Sequence, residues 1–308
     1  MKQLVVLSGK GGTGKTSVTA ALAHLASLER DRCRAVLADA DVDAANLGLL
    51  LDPRILAQED FKGGSVAVID PDRCTGCGAC AEACRFDAIL APWVSTSGES
   101  GGTYRVDPIA CDGCAACLYR CPTEAITMRE QVAGVWFRSE TSFGPMIHAH
   151  LHPGQENSGK LVTLVKQQAR LTAMDRNHDL VLVDGPPGIG CPVISAASGA
   201  DLALIVAEPT RAGVHDMTRV LETVDHFGVR PLMCINKADL YPEGALEVTR
   251  FCEARGIQVA GSLPFDPVIT EAMVHGQPVT VYQPDSAIAR SLVDLWHTVA
   301  DILCGRSS

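Results

Sequence analysis

Short apolar runs recur along this chain, and most of them are followed by a turn that contains glycine, asparagine or aspartate. They cover residues 4–7, 35–38, 180–183, 202–207 and 231–235. A continuous apolar run of this length is typical of a strand that is buried on both faces of a parallel sheet. After the first run, Val18, Leu22 and Leu25 recur at helical spacing. The pattern predicts an α/β fold in which helices flank a mostly parallel sheet.

Two further segments have clear periodicity. Residues 131–152 alternate as a pair of strands, and a period of two places His148, His150 and His152 on one strand face. Three imidazoles on one face suit a metal ion, and an exposed polar strand edge explains them equally well. Residues 286–304 carry an apolar stripe at helical spacing with Arg290 as the only lysine or arginine, which predicts a helix that closes the core.

The turn after the first strand has the pattern of a phosphate-binding loop. Residues 8–16 read S-G-K-G-G-T-G-K-T and fit G-x-x-x-x-G-K-[ST]. In such a loop backbone N–H groups and a lysine surround phosphate, the helix N-terminus adds partial positive charge, and a hydroxyl binds Mg²⁺. The predicted nucleotide-binding residues here are Gly9, Lys10, Gly11, Gly12, Thr13, Gly14, Lys15, Thr16 and Ser17. Thr16 is also the predicted magnesium ligand.

Lys10, directly after Gly9, gives the loop an additional lysine. With it the chain resembles the deviant Walker A family of P-loop ATPases, which includes MinD, ParA, Mrp-type carriers and the nitrogenase iron protein. The resemblance implies a homodimer that forms on ATP binding, in which Lys10 reaches the partner's nucleotide. It also implies a slow ATPase, stimulated by dimerisation or by a partner, with Lys10, Lys15 and Asp41 as catalytic residues.

Two acidic turns follow buried strands at the rim where ligands bind in open α/β sheets. By the resemblance, Asp39 belongs to the Mg²⁺ shell and Asp41 orients the attacking water. The turn Asp184-Gly185-Pro186-Pro187-Gly188 is similar to the D-x-P-P-G of the MinD and Mrp branch. Asp184 would then hold Mg²⁺ through water, and the Gly188 amide would sense the γ-phosphate.

Two later loops resemble base-contacting loops. Asn236 and Lys237 open an N-K-x-D sequence, which reads guanine in GTPases, whereas in the deviant Walker A family the corresponding Asn faces adenine. Pro264 and Asp266 belong to a P-x-D that resembles the second base-contacting loop of MinD relatives. ATP or ADP is therefore the predicted nucleotide.

Eight of the 13 cysteines form two runs of C-x2-C-x2-C-x3-C. The runs are offset by 37 residues, and the repeat continues beyond them, since Asp87-Ala88-Ile89 matches Glu124-Ala125-Ile126. The segment resembles a bacterial two-cluster ferredoxin, in which the fourth cysteine of each run ligates the other cluster. That implies one [4Fe–4S] cluster on Cys74, Cys77, Cys80 and Cys121 and another on Cys111, Cys114, Cys117 and Cys84.

Two zinc sites are the alternative for these runs, but paired C-x2-C zinc modules lack the third evenly spaced cysteine. One departure from the ferredoxin pattern is visible, because Cys84 is followed by Arg85 where Cys121 is followed by proline. A cation beside a ligating sulfur would raise the potential of that cluster.

The remaining cysteines lack metal-site spacing. Cys191 follows Asp184 by seven residues, close to a position from which the nitrogenase iron protein ligates a cluster between subunits, but a packed thiol is favoured. Cys33, Cys234, Cys252 and Cys304 are predicted to be structural, and reduced thiols are predicted throughout. Residues 95–103 are predicted to form a hairpin or mobile loop, and Asn157 or Ser158 to cap a helix.

Composition excludes several classes of function. The chain has 308 residues and a formal net charge of -10, without a local basic cluster, which argues against binding to nucleic acid or to anionic membranes. The first apolar run is too short for a signal peptide, and no run approaches the length of a membrane span. A cytoplasmic protein without stable membrane insertion is predicted.

Together these features predict a P-loop ATPase domain, residues 1–60 and 131–308, interrupted by an α+β two-cluster ferredoxin domain, residues 61–130. The first functional hypothesis is an ATPase that couples ATP state to electron transfer through the clusters, with a redox partner that the sequence does not identify. The alternative is a MinD- or ParA-like positioning or assembly ATPase whose ferredoxin part is a redox sensor or docking module. An Mrp-like cluster carrier is weaker, because no C-x-x-C lies near the C-terminus.

Overall fold

The computed structural model describes residues 1–94, 100–101, 103–155 and 158–305. The strands are β1 Lys2–Ser8, β2 Ala35–Asp39, β3 Arg54–Ile69, β4 Ile89–Leu90, β5 Trp93–Val94, β6 Ser100–Gly101, β7 Arg105–Val106, β8 Ile126–Thr141, β9 Gly144–Leu151, β10 Leu180–Pro187, β11 Leu202–Ala207, β12 Arg230–Asn236 and β13 Gln258–Leu263. The helices are α1 Lys15–Leu28, α2 Leu47–Leu51, α3 Ala79–Ala83, α4 Ala116–Arg120, α5 Ser158–Asp175, α6 Cys191–Ala197, α7 Arg211–His226, α8 Pro242–Ala254, α9 Val268–Val274, α10 Val279–Tyr282 and α11 Ala287–Leu303.

A large sheet organises these elements. In the described residues its strands stand in the order β13-β12-β11-β1-β10-β2-β9-β8-β3. The neighbouring pairs from β13 to β9 are parallel. The apolar runs lie in its interior strands, where residues such as Leu4, Leu182 and Leu204 are fully buried. The predicted α/β fold with a mostly parallel sheet and flanking helices is confirmed.

The chain divides into two compact units. The first comprises Met1–Glu59, Trp136–His150 and Ser158–Ser308, and it contains the phosphate-loop sequence. The second comprises Asp60–Val135 and Leu151–Asn157, and it contains both cysteine runs.

The internal repeat of the second unit is also a repeat of its backbone. Helices α3 and α4 are related by the same offset of 37 residues as the cysteines. Asp87 and Glu124, which occupy equivalent positions, both adopt the left-handed conformation, with φ of 51° and 49°. Cys74 N–H donates to Asp70 O at 3.1 Å, and Cys111 N–H donates to Asp107 O at 3.1 Å. Both halves therefore present their cysteines from the same local fold.

The last helix forms as predicted. Ser286 is its N-cap and accepts a hydrogen bond from Ala289 N–H, and Leu292, Leu295 and Val299 on its apolar stripe are buried. Within the described residues, no helix combines the length and apolar character needed to cross a bilayer.

Two predicted loop features fall partly outside the described residues. Asn157 lies outside them, and Ser158 is the first residue of α5. Of the predicted hairpin over residues 95–103, residues 95–99 and 102 lie outside them. On its flanks β5 pairs with β6, and β4 pairs with β7, in each case antiparallel.

The explanation of the histidine strand as an exposed edge is wrong. Strand β9 lies inside the sheet between β2 and β8, so His148 is 7% exposed. Its Nε2 lies 2.9 Å from Ser139 Oγ, and its ring stacks on Phe137 with centroids 4.8 Å apart. His150 and His152 are exposed. Among the described residues, no three His, Cys, Asp or Glu side chains are arranged to hold a single metal ion.

Burial of His148 predicts a loss of stability in acid. Burial, reinforced by His150, lowers the pKa of His148 to about 4. The unfolded chain therefore binds a proton near pH 6.5 that the folded chain accepts only near pH 4, so stability falls as pH drops through this window. When the pH is lowered from 7.5 to 5.5, the free energy of unfolding of wild type, measured with urea, should fall by about 1 kcal/mol more than that of His148→Gln. The exposed His152→Gln is the matched control, and equal losses in all three proteins would contradict the prediction.

The remaining cysteines only partly match expectation. Cys234 and Cys252 are buried as predicted, and burial raises the pKa of Cys234 to about 12 and of Cys252 to about 11. Cys33 and Cys304 form a disulfide with Cα atoms 5.9 Å apart, so the expectation of reduced thiols throughout is wrong for this pair. Cys191 is exposed rather than packed, because it begins α6 at the surface.

Candidate functional site

A cleft of about 590 Å³ in the first unit collects most of the predicted nucleotide-binding residues. Those that line it are Gly11, Gly12, Thr13, Gly14, Lys15, Thr16, Ser17, Asp41, Asn236, Lys237, Pro264 and Asp266. Gly9, Lys10, Asp39, Asp184 and Gly188 are not part of its lining. The loops come from the carboxyl ends of β1, β2, β12 and β13, where an open parallel sheet binds ligands.

The phosphate loop is held in shape by its glycines and by Asn236. Gly12 and Gly14 have φ of 77° and 90°, and a Cβ on Gly14 would stand 2.5 Å from Asn236 Nδ2. Asn236 Nδ2 donates to Thr13 O at 2.7 Å, while its Oδ1 accepts from Lys237 N–H at 3.0 Å. In this structure Asn236 therefore braces the loop, a role that the sequence analysis did not assign.

Lys15 is the centre of a buried polar cluster. Its Nζ lies 2.7 Å from Asp184 Oδ1 and 3.8 Å from Asp41 Oδ2, and its side chain is 6% exposed. Thr16 Oγ1 donates to Asp184 Oδ2 at 2.8 Å. Thr19 Oγ1 lies 2.9 Å from Asp184 Oδ1, a contact that the sequence analysis missed although Thr19 is one helical turn after Lys15. The lysine and both hydroxyls thus converge on one carboxylate.

The buried carboxylates favour a cation. Asp39 and Asp184 are register partners on β2 and β10. Asp39 accepts N–H bonds from Leu47 at 3.0 Å and from Asp41 at 3.1 Å, yet burial and the neighbouring Asp184 raise its pKa. Burial also raises the pKa of Asp41 to about 6, against the opposing effect of Lys15. Oxygen ligands of this kind suit Mg²⁺, which would relieve the repulsion between the two aspartates.

Lys10 and Lys237 share one acidic partner. Lys10 Nζ lies 2.9 Å from Glu208 Oε2, and Lys237 Nζ lies 2.5 Å from Glu208 Oε1. Burial would raise the pKa of Glu208, but hydrogen bonds from the two lysines outweigh it and lower the pKa. Glu208 was not among the predicted site residues, because it lies at the end of β11, far from Lys10 in sequence. The predicted phosphate sensor Gly188 donates its N–H to Ser8 O at 2.9 Å.

The base-contacting loops are tied to one another. Asp239 Oδ1 accepts from Phe265 N–H at 2.6 Å, and Asp266 Oδ1 accepts from Val268 N–H at 3.1 Å. Asp239 is the acidic residue of the N-K-x-D sequence, and here its carboxylate fixes the neighbouring loop. Apolar side chains such as Ile269 and Met273 supply a wall of the cleft that suits a planar base.

The second unit contains two small cavities lined by cysteines. The first cysteine cavity is lined by Cys74, Cys77, Cys80 and Cys121. The second cysteine cavity is lined by Cys111, Cys114, Cys117 and Cys84. Each cavity thus takes three cysteines from one run and the fourth from the other. These eight thiols are unpaired by disulfides.

The thiols differ in their surroundings. Cys121 Sγ accepts from Ala125 N–H at 3.2 Å and lies 3.6 Å from Thr123 Oγ1. Slight burial opposes the change, but these hydrogen bonds lower the pKa of Cys121. Burial raises the pKa of Cys80 and of Cys117, which are the third cysteines of the two runs.

Several known proteins are similar to this chain. An uncharacterized protein of Methanocaldococcus jannaschii is 30% identical over 305 residues, which covers 98% of this chain and 97% of that protein. An iron-sulfur cluster carrier protein of Aquifex aeolicus is 25% identical over 139 residues, which covers 41% of this chain and 38% of the carrier.

Two solved structures share the fold. The cell division ATPase MinD of Pyrococcus furiosus superposes with a TM-score of 0.57 at 22% identity, covering 98% of this chain and 99% of that one. MinD in the MinC:MinD complex of Aquifex aeolicus gives a TM-score of 0.59 at 20% identity, covering 100% of this chain and 97% of that one.

The family described as the CobQ/CobB/MinD/ParA nucleotide binding domain matches residues 4–279. This match spans every loop of the cleft, from the phosphate loop to Pro264 and Asp266. It agrees with the fold, with the lysine and hydroxyls around Asp184, and with the predicted nucleotide and Mg²⁺. The chain is therefore a P-loop ATPase that belongs to the CobQ/CobB/MinD/ParA family.

Proposed function

We propose that this chain is a MinD- or ParA-like positioning or assembly ATPase that carries an inserted two-cluster ferredoxin as a redox sensor or docking module. Residues 1–60 and 131–308 would form the ATPase domain, and residues 61–130 the ferredoxin domain. The family match over residues 4–279 supports the ATPase part of the proposal, and the crosswise lining of the two cysteine cavities carries the ferredoxin part. A repeat that returns its fourth cysteine to the other half is the ligand arrangement of two-cluster ferredoxins.

The cavities fit [4Fe–4S] clusters better than single ions. A cluster binds each of its four thiolates through a different iron atom, so the sulfurs stand farther apart than around one ion. Each cavity supplies the four cysteines that one such cluster needs. When bound, the clusters would supply one-electron redox chemistry at each cavity.

The cleft fits Mg²⁺ and ATP. Thr13 Oγ1 is buried and has no partner among the described residues, at the centre of the phosphate loop. Thr16, Asp184 and Asp39 would hold Mg²⁺, which supplies charge neutralisation at the phosphates. On nucleotide binding Lys15 would exchange Asp184 for phosphate oxygens. Asp41, which lines the cleft, would orient the attacking water.

Lys10 would act across a dimer interface, as in the deviant Walker A family. Its side chain is 39% exposed and is held by Glu208 in the isolated chain. Release of Lys10 would leave the Glu208 carboxylate paired with Lys237. Contact with a partner's nucleotide phosphates would readily replace the contact of Lys10 with Glu208. The structure of a MinC:MinD complex supports a further protein partner for this chain.

Removal of Lys10 should separate nucleotide binding from dimerisation. Lys10→Ala is expected to bind Mg-ATP within about threefold of wild type, because Lys15 and the loop amides remain. It should stay monomeric at concentrations where wild type dimerises, and its turnover should fall at least about 100-fold. Light scattering after gel filtration with a non-hydrolysable ATP analogue gives the mass. Lys2→Ala, which removes an exposed lysine that is paired with Asp201, is the matched control. A dimer of Lys10→Ala would contradict the role of Lys10.

Metal content and partner capture test the proposal as a whole. Protein purified anaerobically should contain about eight iron and eight sulfide per chain. Iron-free protein, or zinc in place of iron, would overturn the ferredoxin assignment. Pull-down with wild type trapped on the ATP analogue, against Lys15→Ala, should recover a partner in a nucleotide-dependent manner, and equal recovery would overturn the assignment as a positioning or assembly ATPase.

An ATP-gated electron carrier is the second candidate, and the presence of two four-cysteine cavities in one unit favours it because two clusters suit electron transfer. A redox titration followed by EPR, with and without Mg and the ATP analogue, distinguishes the two. Potentials that move in wild type but not in Lys15→Ala favour the gated carrier, and unmoved potentials favour the sensor or docking module. A cluster carrier is less favoured, because the similar carrier matches only 41% of this chain and no C-x-x-C lies near the C-terminus.

A further inference from the structure

The two cysteine cavities are built from equivalent positions of the repeat. Every residue that lines the first cavity has its counterpart, 37 residues away, in the lining of the second. Ala125 and Ile126 of the first, for example, correspond to Ala88 and Ile89 of the second. The two sites can therefore be compared position by position, within one chain and one local fold.

The sites differ most at two positions. Thr123 of the first cavity corresponds to Phe86 of the second. Tyr104 of the first cavity corresponds to Ala67 of the second. Gly78 leaves room for the Tyr104 hydroxyl, because a Cβ at Gly78 would stand 3.1 Å from Tyr104 Oη. The counterpart of Gly78 is Ala115, which lines the second cavity together with Ala67. At these two positions the first cavity has hydroxyl groups where the second has apolar groups.

One hydroxyl reaches a cysteine sulfur. Thr123 Oγ1 lies 3.6 Å from Cys121 Sγ, which also accepts from Ala125 N–H at 3.2 Å. The side chain of Phe86, at the position of Thr123, has no hydroxyl that can donate to Cys84. Reduction adds negative charge to a cluster and its thiolates, so donors near sulfur stabilise the reduced form and raise the potential.

Charged neighbours do not reverse this difference. Arg85 follows Cys84 and was expected to raise the potential of the second site. Its side chain is exposed, however, so water and salt screen its charge. Asp112, which lines the second cavity at the position of Thr75, carries the opposite charge. The hydroxyl groups therefore decide the order.

Given the clusters of the proposed function, we propose that the site of Cys74, Cys77, Cys80 and Cys121 has the higher reduction potential of the two. A single electron delivered to the protein by a low-potential one-electron donor would come to rest there. If it entered at the second site, that site would be reoxidised as the first is reduced. The second site would thus pass its electron to the first, and the first would supply the electron to an acceptor or record the redox state.

An EPR-monitored redox titration of the anaerobically purified full chain tests this order. Wild type should show two one-electron steps whose reduction equilibria differ at least tenfold, or about 59 mV. The double variant Thr123→Val, Tyr104→Phe keeps the side-chain volumes and removes both hydroxyls, and it should lower only the higher potential. Phe86→Thr should raise only the lower one.

The outcomes separate this inference from the proposed function. Protein without iron and sulfide would refute the clusters themselves. Protein with eight irons whose potentials coincide, or whose higher potential is unmoved by the double variant, would overturn only the inferred order. Cys80→Ala, Cys121→Ala, which removes two ligands of the first site, should retain the lower potential, and retention of the higher one would also overturn the order.

Discussion

Replacing Lys15 by alanine is expected to reduce ATP hydrolysis at least about 100-fold and to weaken Mg-ATP binding by a similar factor. Lys15 is the cation of the phosphate loop and is almost fully buried against Asp184. Without it, Asp184 and Asp39 lose the lysine that offsets their charge beside the phosphate loop, and the loop amides attract the phosphates without its help. Steady-state phosphate release and calorimetric titration with the ATP analogue measure the two effects.

The chain itself supplies a matched control for this variant. Lys160 stands in Ser158-Gly159-Lys160, a sequence that resembles a fragment of a phosphate loop, but it lies exposed in the first turn of α5. Lys160→Ala should bind and hydrolyse ATP as wild type does. If Lys15→Ala retained more than a tenth of wild-type turnover, or if Lys160→Ala lost activity equally, the assignment of the phosphate loop would be wrong.

The features that could be predicted from sequence depend on short stretches of chain. The phosphate loop places Lys15 and Thr16 by local backbone geometry, which a glycine-rich pattern fixes. Asp39 and Asp184 could be predicted to meet because each ends a buried strand, and parallel strands bring their carboxyl ends to one edge. The structure makes them register partners.

The features that escaped prediction depend on pairing between distant segments. Glu208 meets Lys10 only because β11 pairs with β1, and nothing in its own surroundings marks it. Whether β9 is an edge or an interior strand depends on which strands pair with it, so the alternation of residues along β9 could not predict the burial of His148. The Cys33–Cys304 pair spans 271 residues and has no local spacing signal. Contacts of this kind can be predicted only once the order of the strands in the sheet is known.

The crosswise assignment of the cysteines makes a prediction that single substitutions do not test. Cys80→Ala, Cys121→Ala removes two ligands from the first cavity and none from the second, so about four of eight irons should remain. Cys80→Ala, Cys84→Ala also removes two cysteines, but it takes one from each cavity and should lose both clusters. Sequential ligation, in which each run binds its own cluster, predicts the reverse for the two variants.

Iron and sulfide determination under anaerobic conditions, with the visible absorbance of the clusters, decides between the schemes. Alanine is used because a serine oxygen can replace a thiolate as ligand. Cys234→Ala removes a buried cysteine of the first unit and is the control for loss of iron through general instability. Full loss of iron from Cys80→Ala, Cys121→Ala with retention in Cys80→Ala, Cys84→Ala would refute the crosswise arrangement that carries the proposed function. The opposite result would tie each cluster to both halves of the repeat, since neither half could then bind a complete cluster alone.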